Sequence, residues 1–283
     1  MTTRFTKMHG LGNDFVVFNA IHQYPYLDPV RIKRLADRHR GVGCDQVLLV
    51  EASDRPQMDF RYRIFNADGG EVEQCGNGLR CFARFVHEQG LTDKSEIHVE
   101  TLGGDAVAYL EDDGLVKVDM GEPEFEPARI PFEPSGMRQN DFGEYELELV
   151  NETVLVSVLS MGNPHAIQQV QDIEQAPVTN QGIFIQNHRC FPKKVNAGFM
   201  QVLDRELIAV RVYERGVGET LACGTGACAA VVAGRQLGLL DECVKVCLPG
   251  GQLEVRWQGA GNSVWLTGPA STVFEGSINL DSL

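Results

Sequence analysis

Positive charge is in short supply in this chain. Its 283 residues carry 25 Lys and Arg against 39 Asp and Glu, a formal net charge of −14. Nucleic-acid backbones and anionic membrane surfaces are bound by clustered basic side chains, so the balance argues against both as partners and leaves a small molecule open. Long apolar runs are also missing. No uninterrupted stretch approaches the ~18 residues of a spanning helix, and no signal-type apolar segment follows Met1-Thr2-Thr3-Arg4-Phe5-Thr6-Lys7, so we expect a cytoplasmic protein. Cysteine is plentiful, but metal-type spacing is not. Cys44, Cys75, Cys81, Cys190, Cys223, Cys228, Cys243 and Cys247 include no C-x-x-C pair, so neither zinc nor another metal is expected, and in a cytosolic chain the thiols should be reduced.

What the chain does have is a repeated cysteine motif. Glu73-Gln74-Cys75-Gly76-Asn77-Gly78-Leu79-Arg80-Cys81 is answered by Leu221-Ala222-Cys223-Gly224-Thr225-Gly226-Ala227-Cys228, with 223 − 75 = 148 positions between the leading cysteines. At the same offset Phe65-Asn66-Ala67-Asp68-Gly69-Gly70-Glu71 lies over Tyr213-Glu214-Arg215-Gly216-Val217-Gly218-Glu219, and Gly90-Leu91 over Gly238-Leu239. A period this long means two duplicated domains, because solenoid repeats are far shorter. The hydrophobic content of 43% is ample for two cores.

Along the chain, Asp28-Pro29 reads as an N-cap followed by proline at the first helical position. Val30, Ile32, Leu35 and Ala36 supply its apolar face, and Gly41 a stop. Residues 47–50, 59–65, 97–101, 106–110 and 115–120 read as strands, with hairpin turns at Gly103-Gly104 and Asp112-Asp113-Gly114. Helices should follow Cys75 and Cys223, the first ending at Gly90 and the second spanning 224–236. Glu122-Pro123-Glu124-Phe125-Glu126-Pro127 is the linker candidate. Residues 145–159 are strand-rich, Val195-Asn196-Ala197-Gly198 reads as a loop, and Asp204-Arg205-Glu206 joins a hairpin. The helix at 224–236 is small or apolar on nearly every side and must be buried. We therefore expect a mixed α/β (α+β) chain of two pseudo-twofold-related domains, each a mostly antiparallel curved sheet around a central helix. The first covers 1–122 and is closed by a C-terminal strand at 272–283. The second covers 123–271, and the site is expected in the cleft between them.

Each leading cysteine should stand at a helix N-terminus, beside unpaired backbone N–H groups that favour thiolate over a thiol titrating near ~8.5. Two such thiols, one on each face of a carbon acid, are what a racemase or epimerase without a cofactor requires: one takes the α-proton and the other returns a proton from the opposite side. The helix N–H groups behind Gly76-Asn77 and Gly224-Thr225 would hold a substrate carboxylate. Three other readings remain open on these residues alone. The glycines suit a dinucleotide turn, although neither copy completes G-x-G-x-x-G. One cysteine could be an acyl-transfer nucleophile with His165 as base, or the pair a redox switch.

The blocks Met8-His9-Gly10-Leu11-Gly12-Asn13-Asp14-Phe15, Phe65-Asn66-Ala67-Asp68-Gly69, Cys75-Gly76-Asn77-Gly78-Leu79-Arg80-Cys81, Met161-Gly162-Asn163-Pro164-His165, Val212-Tyr213-Glu214-Arg215-Gly216 and Ala222-Cys223-Gly224-Thr225-Gly226-Ala227 resemble, in order and nearly end to end, those of the diaminopimelate epimerase family. Proline racemases and phenazine-biosynthesis isomerases share that family's fold but fit these blocks less well. The resemblance implies interconversion of LL- and meso-diaminopimelate, for lysine and peptidoglycan-precursor synthesis, with no pyridoxal phosphate or other cofactor. By motif position it makes Cys75 and Cys223 the acid/base residues, with His165 and Glu214 beside the reacting centre. Asn13, Gln46, Asn66, Gly76, Asn77, Asn163, Asn196, Glu214, Arg215, Gly224 and Thr225 become the substrate contacts, and a homodimer is implied.

Overall fold

The computed structural model describes residues 2–73, 75–150 and 152–283. Met1, Gln74 and Asn151, which fall in the N-terminal segment, the first cysteine stretch and the strand-rich stretch, lie outside the described residues. The chain divides into two compact units, Met1–Asp119 with Thr267–Leu283, and Met120–Leu266.

In the first unit the elements are β1 (Thr2–Gly10), β2 (Asn13–Asn19), α1 (Pro29–Ala36), β3 (Gln46–Glu51), β4 (Phe60–Asn66), β5 (Glu71–Val72), α2 (Gly76–Glu88), β6 (Glu96–Thr101), β7 (Gly104–Leu110) and β8 (Val116–Asp119). β1 pairs antiparallel with β2 and, on its other side, with the C-terminal strand Ser271–Asn279, from Thr2 opposite Asn279 to His9 opposite Ser271. The β3/β4, β6/β7 and β7/β8 pairs are antiparallel, while β2/β3 and β4/β6 are parallel. Parallel neighbours need a crossover, and α1 and α2 supply the two. α1 starts as its sequence dictates, with Asp28 accepting from the Arg31 N–H and proline at the first position. It ends at Ala36 instead of running to Gly41, because the Asp37 carboxylate accepts from the His39 and Arg40 amides, a local bond that competes with the helix.

In the second unit the order is β9 (Tyr145–Glu148), β10 (Thr153–Ser160), β11 (Pro164–Gln169), α3 (Val178–Gln186), β12 (Asn196–Asp204), β13 (Leu207–Glu214), β14 (Gly218–Glu219), α4 (Gly224–Gln236), β15 (Cys243–Leu248) and β16 (Gly251–Arg256), with β17 (Trp265–Gly268) next in the chain. β9/β10, β10/β11, β12/β13 and β15/β16 are antiparallel; β11/β12 and β13/β15 are parallel across α3 and α4. The order of pairings from β10 to β16 repeats that from β1 to β7. Even ion pairs repeat at the 148-residue offset: Arg63 holds Glu71 at 2.8 Å, and Arg211 holds Glu219 at 2.7 Å.

Three expectations differ from the structure. Asn196, Ala197 and Gly198 form the start of β12 rather than a loop, because they pair in parallel with His165, Ala166 and Ile167. The proposed linker belongs to the second unit: Glu124 and Ser160 exchange both backbone hydrogen bonds, and Ile130 and Phe132 lie in that unit's core. Helix α3 was not foreseen. Its first residue follows Pro177 with no side-chain cap, and apolar residues fall on both its buried and exposed sides, Ile185 inside and Ile183 and Phe184 outside.

Each central helix has 13 residues and follows its cysteine. In α2 everything from Gly76 to Ala83 is buried, together with Phe85 and Val86, and in α4 everything from Gly226 to Gly234. Both close on an αL glycine, Gly90 and Gly238, whose N–H bonds back to His87 and Arg235 while the next residue reaches Val86 and Gly234. The second glycine of each motif is small for the same reason in both copies. A Cβ on Gly78 would stand 3.2 Å from Ile64 Cδ1 and 2.5 Å from the Tyr62 hydroxyl; one on Gly226 would stand 2.8 Å from Val212 Cγ2. These contacts lock the first helical turn against β4 and β13.

Candidate active site

Both leading cysteines are helix N-caps in extended backbone, Cys75 at φ −143°, ψ 115° and Cys223 at φ −115°, ψ 106°. That places each sulfur beside the positive end of a helix. In the first unit Cys75 Sγ accepts from the Gly78 N–H at 3.5 Å and lies 3.8 Å from Asn13 Oδ1. Asn77, nearly fully buried, donates to the same Asn13 oxygen at 3.2 Å. Asn13, at the start of β2, donates in turn to Asp45 at 3.0 Å, and Gln46 donates to Asn66 at 2.9 Å between the facing ends of β3 and β4. Asp14 beside them accepts from Lys7 at 2.5 Å and from both guanidinium nitrogens of Arg38. Burial works to raise its carboxyl, but those bonds outweigh it and hold it at about 2.

The second unit surrounds its thiol differently. Cys223 is 5% exposed, and burial pushes its thiol well above the usual value, helped by the nearby Glu214 carboxylate and opposed by the Thr225 hydroxyl at 3.6 Å and the Gly226 amide. This corrects the expectation of a thiolate favoured by the helix end alone: that effect is worth roughly 0.3–1 kcal/mol near the surface, while desolvating a charge costs several. The Thr220 hydroxyl donates to Glu214. His165, fully buried, hydrogen-bonds Asn163 Oδ1 through Nε2 at 3.0 Å. Burial, reinforced by the Arg215 cation, drives its imidazole down to about 3, so it is neutral, and its Nδ1 has no hydrogen-bond partner. Asn196 donates to Pro164 O at 3.1 Å and accepts from the Arg215 N–H at 2.8 Å. It positions the His165 and Arg215 segments.

Among the described residues, no group of three or more His, Cys, Asp or Glu is placed to hold a metal ion, and no helix is long and apolar enough to cross a membrane.

A family model described as diaminopimelate epimerase matches residues 5–126 and 157–273. The diaminopimelate epimerase of Azoarcus sp. is 60% identical over 280 residues, covering 99% of this chain and 100% of its own. That of Aromatoleum aromaticum is 59% identical over 281 residues, covering 99% and 100%. The chain belongs to the diaminopimelate epimerase family. Two solved structures carry the same fold at much lower identity. A hydroxyproline epimerase from Agrobacterium vitis has a TM-score of 0.69 at 16% identity, covering 98% of this chain and 92% of its own. A methylitaconate-delta-isomerase has 0.65 at 14%, covering 98% and 95%. The diaminopimelate epimerase fold is thus mixed α and β with duplicated halves.

The structure groups Asn13, Asn77 and Cys75, then Gln46 with Asn66, Asn163 with His165, Asn196 with Arg215, and Thr225 and Glu214 with Cys223. Sequence reasoning passed over Asp45, Arg80 and Thr220. The signal for Arg80 is its charge inside a helical stretch otherwise apolar from Leu79 to Val86 save for Arg84.

Proposed function

We propose that the chain is a cofactor-independent epimerase that interconverts LL- and meso-diaminopimelate in lysine and peptidoglycan-precursor synthesis, with Cys75 and Cys223 as its two proton carriers. The observation that carries this reading is that each half of a duplicated fold presents a cysteine at the N-cap of its buried central helix, in a chain 58–60% identical to several diaminopimelate epimerases. One sulfur, as thiolate, removes the α-proton from one face of the carbon while the other, as thiol, delivers a proton to the opposite face. The first-turn N–H groups at Gly76-Asn77 and Gly224-Thr225 hold the α-carboxylate and the charge that develops on it. Asn13, Gln46, Asn66, Asn163, Asn196, Glu214 and Arg215 complete the substrate contacts, and His165, neutral by burial, stands beside the reacting centre as a hydrogen-bonding group. The same proposal includes a homodimer in the cytoplasm, supported by the family resemblance; sedimentation under reducing conditions reads the dimer.

Isotope position tests the mechanism. Starting in D₂O from one pure stereoisomer, deuterium should enter the epimerised product from the first turnovers while recovered substrate stays protiated, because the delivering thiol has exchanged with solvent and the accepting one has not released its proton. Early deuterium in recovered substrate, at a rate matching epimerisation, sinks the opposed-thiol scheme. No α-proton exchange at all sinks the epimerase reading.

A further inference from the structure

Two charged side chains near Cys75 are not used by the proton transfer, Asp45 and Arg80, and they stand at opposite ends of one hydrogen-bond chain. Arg80 is fully buried; its guanidinium donates to Asn77 Oδ1 at 3.0 Å, to Gly76 O at 3.5 Å and to Pro269 O at 3.3 Å. A guanidinium can only donate, so the Asn77 amide must present its oxygen to Arg80 and its nitrogen the other way. That nitrogen donates to Asn13 Oδ1 at 3.2 Å, and the Asn13 nitrogen donates to Asp45 Oδ2 at 3.0 Å. A carboxylate can only accept. Direction is therefore imposed from both ends by groups that cannot exchange roles, and neither amide can flip without setting donor against donor. The consequence falls on the thiol: Asn13 is obliged to aim its oxygen, not its nitrogen, at Cys75 Sγ, 3.8 Å away. Asp45 is itself held by Arg38 at 2.8 Å and accepts from the Asp14 N–H at 3.1 Å.

We propose that Asp45 and Arg80 are positioning residues that orient the Asn13 and Asn77 amides around Cys75. The proposal rests on the reading of Cys75 as a proton carrier and of the two amides as substrate contacts. The second half builds nothing equivalent, since the position 148 residues after Arg80 is Cys228.

The test uses the full chain and two readouts. One is kcat and KM for LL-diaminopimelate. The other needs no turnover: the pH dependence of iodoacetamide alkylation at Cys75, followed by mass spectrometry of its peptide. Asp45→Asn keeps one acceptor oxygen, which the Asp14 N–H favours on the Asn13 side, and should fall between the parent and Asp45→Ala in both. Asp45→Ala should raise KM about tenfold, the effect of one lost oriented hydrogen bond. It should also move the alkylation midpoint down, because Asn13 is then held only from the Asn77 side and turns its nitrogen to the sulfur more readily. Arg80→Met should move the midpoint up, since a cation beside the helix N-terminus is lost, and Arg80→Lys should recover part of the shift. A merely structural role would not move the two ends in opposite directions. If Arg80→Met does not fold, the half-exposed Asp45 decides alone. Asp45→Ala matching the parent in both readouts overturns the proposal, and so does Asp45→Asn as damaging as Asp45→Ala. A parent protein that fails to epimerise diaminopimelate while the midpoints shift as stated refutes the substrate assignment and leaves the orientation of Cys75 standing.

Discussion

Cys75 and Cys223 occupy the same place in two copies of one fold, yet the side chains beside them differ in charge. Cys75 is half-buried, faces an asparagine amide, and has the Arg80 guanidinium one helical turn along. Cys223 is buried and faces the Glu214 carboxylate, at the position where the first copy has Asn66. The copies agree wherever backbone is being packed: the second motif glycine against its strand, the αL glycine after the helix, the Arg–Glu pair across the short hairpin. They part at Asn66 and Glu214, Ala67 and Arg215, and Asn77 and Thr225. Burial and the Glu214 carboxylate work to raise the Cys223 thiol, while the first copy has the neutral Asn66 at the position matching Glu214.

The harshest way to break this comparison is to remove either sulfur. Cys75→Ala and Cys223→Ala should each abolish epimerisation, a loss of at least the roughly 10²–10⁴-fold associated with a positioned acid or base, with circular dichroism unchanged. More than a few per cent residual activity in one of them would show that the two positions are not both required. Differential reactivity sharpens it. At pH 7–8 the Cys223 peptide should alkylate at least about tenfold more slowly than the Cys75 peptide, because burial and Glu214 hold its thiol in the unreactive protonated form. Glu214→Gln should narrow that gap by removing the repelling charge while turnover falls. Equal rates in the parent protein would contradict the inequality of the two sites.

The smallest effect is on stability. Folded His165 is held at about 3 by burial, below the ~6.5 of an unfolded histidine. Between those values the unfolded chain binds a proton that the folded one refuses. Stability is thus complete above pH ~6.5 and falls with pH toward 3, by at most roughly 1.4 kcal/mol per pH unit from this group. Asp14, held at about 2, adds its own loss only below pH ~4. Urea midpoints between pH 7 and 4.5 should therefore drop less in His165→Asn than in the parent, whatever the variant's absolute stability. An unchanged slope would mean that His165 is protonated in the folded protein.

Sequence by itself determined the elements whose causes are local or repeated. Asp28-Pro29 begins α1, Gly90 and Gly238 end the cysteine helices, and the all-round apolar character of 224–236 buries α4; each follows from backbone chemistry or periodicity within a few residues. The 148-residue offset exposed the duplication, and the motifs carried the family and singled out the two thiols proposed as proton carriers. Tertiary structure alone decided the rest, because it depends on partners distant in the chain. Asn196 became a strand residue by pairing with His165, the segment from Glu124 was claimed by Ser160, and the Cys223 thiol was pushed up by burial that no helix-end argument contains. The orientation of the Asn13 amide is the sharpest case. It is set by Asp45, 32 residues along, and by Arg80 through Asn77, and the direction of a hydrogen bond exists only once its donor and acceptor have been brought together.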